Sequence, residues 1–187
     1  MGAEHKESGM KKCAIVILFA LVPLSVFAGT NGVLENQTSH KSGDLTPQLD
    51  VSVQGPIKGK WGWSFWGLAT QTWSEALVGV TYSPSKNLNL GFSYGVEDDK
   101  KPGRLASSLW ASRGNVSLLV LHENGGSGAW HKIVLNYKTG RFGMGIMDQA
   151  SFIGPRGEVS FGKTKVWGAA LFRSGERKQI MGIARSF

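Results

Sequence analysis

Between Leu88 and Glu97 the chain alternates between large apolar and small polar residues. Leu, Leu, Phe, Tyr and Val occupy every second position, and Asn, Gly, Ser, Gly and Glu lie between them. An extended strand places these two sets on opposite faces. The alternation returns at 76–82, 133–137 and 142–146, and no stretch carries apolar residues at helical spacing over three turns. The pattern predicts an all-β fold.

Clusters of Gly, Asn, Asp, Ser and Pro separate the alternating segments and mark turns. We expect about ten antiparallel strands (8–12), at 61–73, 75–84, 87–97, 104–113, 115–123, 129–138, 141–150, 156–162, 164–173 and 178–187, with 48–54 as a possible further strand. Tight connections at 113–115, 138–140 and 162–164 alternate with longer ones at 97–103, 124–128 and 151–157. Such alternation is typical of an up-and-down β-barrel.

The N-terminal 28 residues have a different character from the rest. Lys11 and Lys12 precede an apolar run, and Ala28 ends a small-x-small motif of the kind that signal peptidase cleaves. The apolar run is too short to cross a bilayer as a helix, which needs about 20 apolar residues. Residues 1–28 are therefore predicted to be a secretory signal peptide, within which Met10 is an alternative natural start.

The predicted mature chain divides into two parts. Residues 29–47 are rich in Gly, Thr, Ser, Asn and Gln and show no apolar periodicity, so they are predicted to form a flexible N-terminal segment. Residues 48–187 are predicted to form the barrel. The only cysteine, Cys13, lies in the predicted signal peptide, so neither a disulfide nor a thiolate metal site is expected in the mature chain.

Charge indicates the kind of partner. Without residues 1–28 the chain has 18 basic and 11 acidic residues and a net charge near +7. In an exported protein this charge favours anionic lipid or lipopolysaccharide as the partner rather than nucleic acid. No cofactor is expected, because no phosphate-binding loop is present.

Alternation alone does not distinguish a barrel in lipid from a barrel in water. The polar face of the clearest strand contains Gly91, Ser93 and Gly95, which suit a narrow interior. Most charges lie in the turns, and a charge at the centre of a lipid-facing strand would cost roughly 2–4 kcal/mol. The sequence thus favours a membrane-spanning barrel. The alternative is a soluble periplasmic barrel that binds a small apolar or carbohydrate ligand.

Two sets of side chains are candidates for contact with lipid. Basic residues near the predicted turns would bind headgroup phosphates; they are Lys100, Lys101, Arg104, Arg113, Lys138, Arg141, Lys163 and Lys165. Aromatic residues that prefer the membrane–water boundary would form a belt; they are Trp61, Trp63, Trp66, Trp73, Tyr82, Tyr94 and Tyr137. A tryptophan-rich soluble core or a carbohydrate platform is the other interpretation of the seven tryptophans.

Neither a catalytic residue nor a metal site is predicted. His122 and His131 could be neighbours at a rim, and Glu123 would complete three ligands, but no short spacing fixes their geometry. The segment His40-Lys41-Ser42 resembles the His-x-Ser spacing of barrel lipid A deacylases, but it lies in the predicted flexible segment and not at a strand end. The enzymatic alternative is a lipid A-modifying enzyme that uses His122 or His131.

The exported all-β chain, with a last strand that ends in Phe187, resembles small bacterial outer-membrane β-barrel proteins. In that class the barrel-assembly machinery reads a terminal aromatic residue preceded by apolar residues at alternate positions. Met181 and Ile183 match this pattern, and Arg185 departs from it. The resemblance implies a place in the bacterial outer membrane and a structural, interaction or narrow-pore role without catalysis. About ten strands are too few for a wide general porin.

Overall fold

The computed structural model describes residues 30–187, so the predicted signal peptide at 1–28 lies outside the described residues. No helix in this part of the chain is long and apolar enough to cross a membrane. Residues 30–187 form twelve β-strands: β1 (Asn31–Lys41), β2 (Asp44–Lys58), β3 (Trp61–Thr70), β4 (Ser74–Ser85), β5 (Leu88–Glu97), β6 (Gly103–Arg113), β7 (Val116–Gly125), β8 (Gly128–Thr139), β9 (Phe142–Gln149), β10 (Phe152–Phe161), β11 (Thr164–Arg173) and β12 (Glu176–Ser186).

Each strand pairs antiparallel with the next in the chain, and β1 also pairs with β12. This last pairing extends from Val33 opposite Ser186 to Lys41 opposite Lys178. At its end the Phe187 N–H donates to the Gly32 carbonyl, with an N···O distance of 3.0 Å. The expected all-β, up-and-down closed barrel is confirmed, and its twelve strands lie at the upper limit of the expected number.

The prediction of a flexible segment at 29–47 is wrong. Most of these residues form β1 and the start of β2, with a turn at 42–43 between them. The apolar signal is weak because the inward face of β1 is polar. Gln37, for example, is buried and donates from Nε2 to Asp50 Oδ2 at 3.0 Å. Pairing with β12 supplies backbone partners that the local sequence does not reveal.

The ten expected strands correspond to β3–β12, and the possible strand at 48–54 lies within β2. The largest boundary error is in β10, which begins four residues before the expected position 156. Two connections expected to be long contain only two residues, at 126–127 and 150–151, whereas the one at 98–102 contains five.

The two ends of the barrel differ in their connections. We call the end at which residues 30 and 187 lie the terminal end; its turns lie at 59–60, 86–87, 114–115, 140–141 and 162–163. We call the other end the distal end; its connections lie at 42–43, 71–73, 98–102, 126–127, 150–151 and 174–175. Four terminal-end turns contain a glycine with φ between 57° and 61°, a left-handed conformation that favours glycine.

The two faces of the wall have the expected chemistry. Phe92, Tyr94 and Val96 are exposed on the outer surface, whereas Glu97, which has the opposite parity, is buried in the interior. The neighbouring strands follow the same rule, because Val80 pairs with Phe92 and Gly79 pairs with Ser93. The outer surface is therefore mainly apolar, and the interior contains most of the small and polar residues.

Inward glycines allow close contact between neighbouring strands. A Cβ atom at Gly145 would overlap the backbone oxygen of Leu135, whereas a Cβ atom at the outward Gly157 would meet only the Gly143 oxygen, at 4.0 Å. Both glycines lie in the paired strands β9 and β10. They therefore make a matched pair for substitution.

We expect Gly145→Ala to lower the free energy of unfolding by about 1–3 kcal/mol, the usual cost of overpacking. Gly157→Ala should have little effect, because the added methyl group meets no close neighbour. Urea titration of the refolded protein in detergent micelles measures both values. Equal unfolding midpoints for the two variants would show that Gly145 does not have the close contact described here.

Candidate functional site: the barrel interior

Apolar side chains fill one side of the interior. The inward residues of β9–β12 form a buried cluster of Met147, Phe152, Trp167, Ala169, Leu171 and Ile180, against which Val134 packs. The guanidinium of Arg156 lies over the Trp167 ring at 4.9 Å and donates to Glu158 Oε2 at 2.7 Å. This side of the barrel is a packed core and leaves no large space.

The other side contains a cavity of about 810 Å³. It is lined mainly by inward residues of β1–β8, and its wall includes the small polar residues Ser52, Ser64, Ser93 and Ser108. It extends from Asn31 at the terminal end to Lys132 near the distal end. The volume lies within the roughly 300–1,000 Å³ of small-molecule sites.

A buried ion cluster closes the distal end of this side. Arg104 Nη2 lies 2.7 Å from Glu123 Oε2, and Arg104 Nη1 lies 2.9 Å from Glu97 Oε2. Arg104 Nε is 2.7 Å from Glu75 Oε2, but its N–H points towards Glu123, so Glu75 makes an ionic contact without a hydrogen bond. The Ser127 N–H donates to Glu97 Oε1 at 3.1 Å, and the Ser127 hydroxyl donates to Glu97 Oε2. All four charged side chains are almost completely buried.

The placement of Arg104 corrects the predicted set of headgroup ligands. Arg104 pairs with Gly95 and Gly125 and points inward, whereas its neighbour Leu105 is exposed outside. Its three carboxylate partners come from β4, β5 and β7, so the sequence around Arg104 gives no sign of them.

The other seven basic candidates lie at the ends of the barrel. Lys100 and Lys101 are exposed in the distal connection at 98–102, and the terminal end carries Arg113, Lys138, Arg141, Lys163 and Lys165. Two of these point inward, since Lys138 Nζ donates to Ser160 Oγ at 3.2 Å and Lys165 Nζ lies 3.6 Å from Glu158 Oε2. Contact of the seven with headgroups stays a prediction.

Five of the seven aromatic candidates lie on the outer surface. Trp61 and Tyr82 contact each other at the terminal end, with ring centroids 4.9 Å apart. Trp63 and Tyr137 lie outside towards the same end, and Tyr94 lies outside near the distal end. These five positions agree with a belt at each boundary, although the belt itself stays a prediction.

Trp66 and Trp73 do not fit the predicted belt. Trp66 pairs with the inward Leu77 and lines the cavity, because its parity in β3 is opposite to that of Trp61 and Trp63. Trp73 lies in a distal connection, and its ring is 5.6 Å from the Arg104 guanidinium.

Several interior residues were not identified from the sequence. Trp110 and Trp130 line the cavity with Trp66, and the acidic residues Glu35 and Asp50 line it from β1 and β2. Parity would have placed both tryptophans inside, because Trp110 shares its strand face with Ser108 and Trp130 shares its face with Asn136. The polar side chains of β1 had no such signal, because that segment was not recognised as a strand.

The histidines lie on the outer surface near the distal end. His122 and His131 are direct partners across β7 and β8, as expected, and His131 Nε2 lies 3.2 Å from Asp148 Oδ1. Glu123 points inward to Arg104 and cannot join them. Among residues 30–187 no group of three or more His, Cys, Asp or Glu side chains is arranged to hold a metal ion.

The barrel is similar to solved bacterial porins. KdgM porin matches with a TM-score of 0.58 at 10% identity, over 83% of this chain and 99% of that one, and a structure of KdgM in complex with disordered oligogalacturonate matches equally. NanC porin matches with a TM-score of 0.54 at 10% identity, over 81% of this chain and 98% of that one. At this identity the likeness shows the fold alone. No protein-family model matches the chain, and no curated protein sequence is similar to it.

We expect Arg104→Met to lower the free energy of unfolding by about 3–5 kcal/mol, because it leaves three buried carboxylates without their cation. Arg173→Met is the matched control, since Arg173 also bonds a glutamate at the distal end, at 2.9 Å, but in an exposed position. The free energy of unfolding of the control variant should be close to that of the unchanged protein. Urea unfolding in micelles measures the free energy of unfolding of both variants. The fraction of folded protein at each urea concentration is read from an unboiled gel, on which folded and unfolded protein migrate differently. Equal losses would contradict a special role for the buried cluster.

Proposed function

We propose that this chain is a bacterial outer-membrane β-barrel that acts as a narrow channel for small polar solutes. The observation that carries the proposal is the combination of an apolar outer surface with an internal cavity, inside a closed barrel, whose wall presents many polar side chains beside apolar ones. A soluble barrel would instead need a mainly polar outer surface, because that surface is in contact with water.

The outer surface supports a location in lipid. Large apolar side chains are exposed along the strands, for example Val78, Phe92, Met144 and Ile146. In hydrocarbon every backbone N–H and C=O group needs a partner within the protein, and the closed ring of strands supplies one. The exposed basic side chains at both ends are suited to headgroup phosphates, including those of lipopolysaccharide.

Orientation follows from the lengths of the connections at the two ends of the barrel. Outer-membrane barrels have short turns in the periplasm and their longer loops outside. The longest connection, at 98–102, lies at the distal end, so we place the distal end outside and the terminal end in the periplasm. Phe187 then lies at the periplasmic end, where the barrel-assembly machinery would read it.

The interior supports a narrow channel. The packed core of β9–β12 leaves only the cavity side for solutes, and Ser, Asn and Gln side chains on its wall suit small polar molecules. The Arg104 cluster separates the cavity from the distal end in this structure and would be the constriction. The porin names of the structural neighbours favour a channel over a lipid A-modifying enzyme.

The location in lipid predicts that the cost of a charge depends on its depth. Phe92 in the middle of β5 and Phe142 at the terminal end of β9 are equally exposed, at 56% and 55%. Lysine at position 92 should cost roughly 2–4 kcal/mol, and at position 142 only about 0–1 kcal/mol, because water is close to the second site. The free energies of unfolding of Phe92→Lys and Phe142→Lys in lipid vesicles measure the difference.

Fractionation of cells that express the unchanged protein provides the control. We expect the protein in the outer membrane, with gel migration that changes on boiling. Recovery from the soluble periplasm, together with equally mild effects of both lysines, would exclude the proposed location and favour a soluble barrel.

The constriction predicts a change in conductance. Replacing Arg104 and Glu123 by serine together should raise single-channel conductance in a planar bilayer, because it removes side chains between the cavity and the distal end. The matched control replaces Arg156 and Glu158 by serine, a buried pair with the same 2.7 Å contact that does not line the cavity. If neither the unchanged protein nor the Arg104 and Glu123 variant carried current, the channel role would be refuted.

A further inference from the structure

The cavity contains a group of hydrogen-bond acceptors that lack donors. Asp50 Oδ2 accepts from Gln37 Nε2 at 3.0 Å and from Gln48 Nε2 at 2.9 Å. The other oxygens, Asp50 Oδ1, Gln37 Oε1 and Glu35 Oε1, are buried and accept no hydrogen bond from residues 30–187. A buried acceptor without a donor is destabilising. This group is therefore suited to a ligand that brings several O–H or N–H donors.

These acceptors form one patch of the cavity wall. Glu35 and Asp50 are direct partners across β1 and β2. Gln37 pairs with Gln48 two residues further along the same strands, on the same face. All four side chains line the cavity, and Gln37 is only 4% exposed. The patch thus places unsatisfied acceptor atoms within side chains that form the cavity wall.

Three indoles line the same cavity at different depths. Trp110 lies near the terminal end of β6, Trp66 lies in the middle of β3, and Trp130 lies near the distal end of β8. An indole offers a flat apolar face together with one N–H donor. Their arrangement provides apolar contact along the length of the cavity rather than at a single point.

The charges of the wall exclude some ligands. The charged residues that line the cavity are Glu35, Asp50, Glu123, Lys86 and Lys132. Two of the acceptors without donors belong to the carboxyl groups of Glu35 and Asp50, so an anionic ligand would be repelled there. A ligand with many hydroxyl groups, flat C–H faces and no negative charge satisfies both the acceptor patch and the indoles.

We propose that the cavity is a binding site for a short neutral saccharide. Its hydroxyl groups donate to Glu35, Gln37 and Asp50, and its C–H faces pack against Trp66, Trp110 and Trp130. The inference rests on the proposed function, since the channel gives the saccharide its route, and it names the class of solute that the channel accepts. KdgM has been observed with an acidic saccharide, and the carboxylates of this cavity indicate a different preference.

Calorimetric titration of the full protein in a detergent without sugar headgroups tests the inference. Maltotriose is the neutral probe, trigalacturonic acid the acidic probe and spermidine the cationic probe. We expect maltotriose to bind, and trigalacturonic acid to bind about tenfold more weakly or not at all. Stronger binding of trigalacturonic acid or spermidine, or absence of maltotriose binding, would overturn the inference.

Two pairs of variants locate the site. Trp110→Leu should weaken maltotriose binding about tenfold or more, whereas Trp61→Leu, on the outer surface, should leave it unchanged. Asp50→Leu should weaken it similarly, whereas Asp44→Leu, at the exposed distal end of β2, should not. Equal affinities within either pair, with heat-dependent gel migration retained, would place the binding elsewhere and refute the proposed site.

Conductance distinguishes the two proposals. A channel that conducts ions, but is neither bound nor blocked by maltotriose, would retain the proposed function and refute the saccharide site. A protein that binds maltotriose in micelles, but carries no current even after removal of the Arg104 and Glu123 side chains, would refute the channel and retain the site.

Discussion

Backbone pairing between β1 and β12 is the constraint on which the rest of the structure depends. Without it the sheet would have two open edges, whose unpaired N–H and C=O groups could not be placed in hydrocarbon. With it, the wall separates an apolar outer surface from a polar interior. The interior can then hold Arg104 and three glutamates, because the strands on either side of β6 bring the carboxylates to the guanidinium.

The sequence predicted those parts of the fold where side chains of opposite character alternate. β3–β12 were identified because their outward residues are large and apolar, as in Leu90 and Phe92. β1 was missed because both of its faces carry polar residues, such as Gln37 inside and Asn36 outside. Its backbone pairs on one side with β2 and on the other with β12, and the second partner is distant in the sequence, with 137 positions between Lys41 and Lys178.

The site was less predictable than the fold. The other basic candidates lie at the ends of the barrel because turns lie at the ends of strands, and their contact with headgroups stays a prediction. Arg104 points inward to partners from three other strands, which its own sequence context does not reveal. Trp66 was assigned to the outer surface on residue type, although its parity in β3 places it inside. Residue type indicated which side chains prefer a boundary, and only register determined on which side of the wall each one lies.

The interior is divided around the circumference of the barrel, between one group of strands and another, and not only along the barrel axis. β9–β12 contribute a packed apolar cluster, and β1–β8 contribute most of the cavity wall, in which polar side chains lie beside apolar ones. In the proposed channel, solutes would pass along the wall of β1–β8, because the cluster of β9–β12 fills the rest of the interior.

The distal connections contain only two to five residues. In the proposed orientation almost no polypeptide would protrude from the cell, and the barrel would end among the sugars of the lipopolysaccharide. Antibodies and bacteriophages that bind projecting loops would therefore find little accessible surface on this barrel. The five residues at 98–102 are also the natural place to insert an epitope tag that reports, on intact cells, which end faces outward.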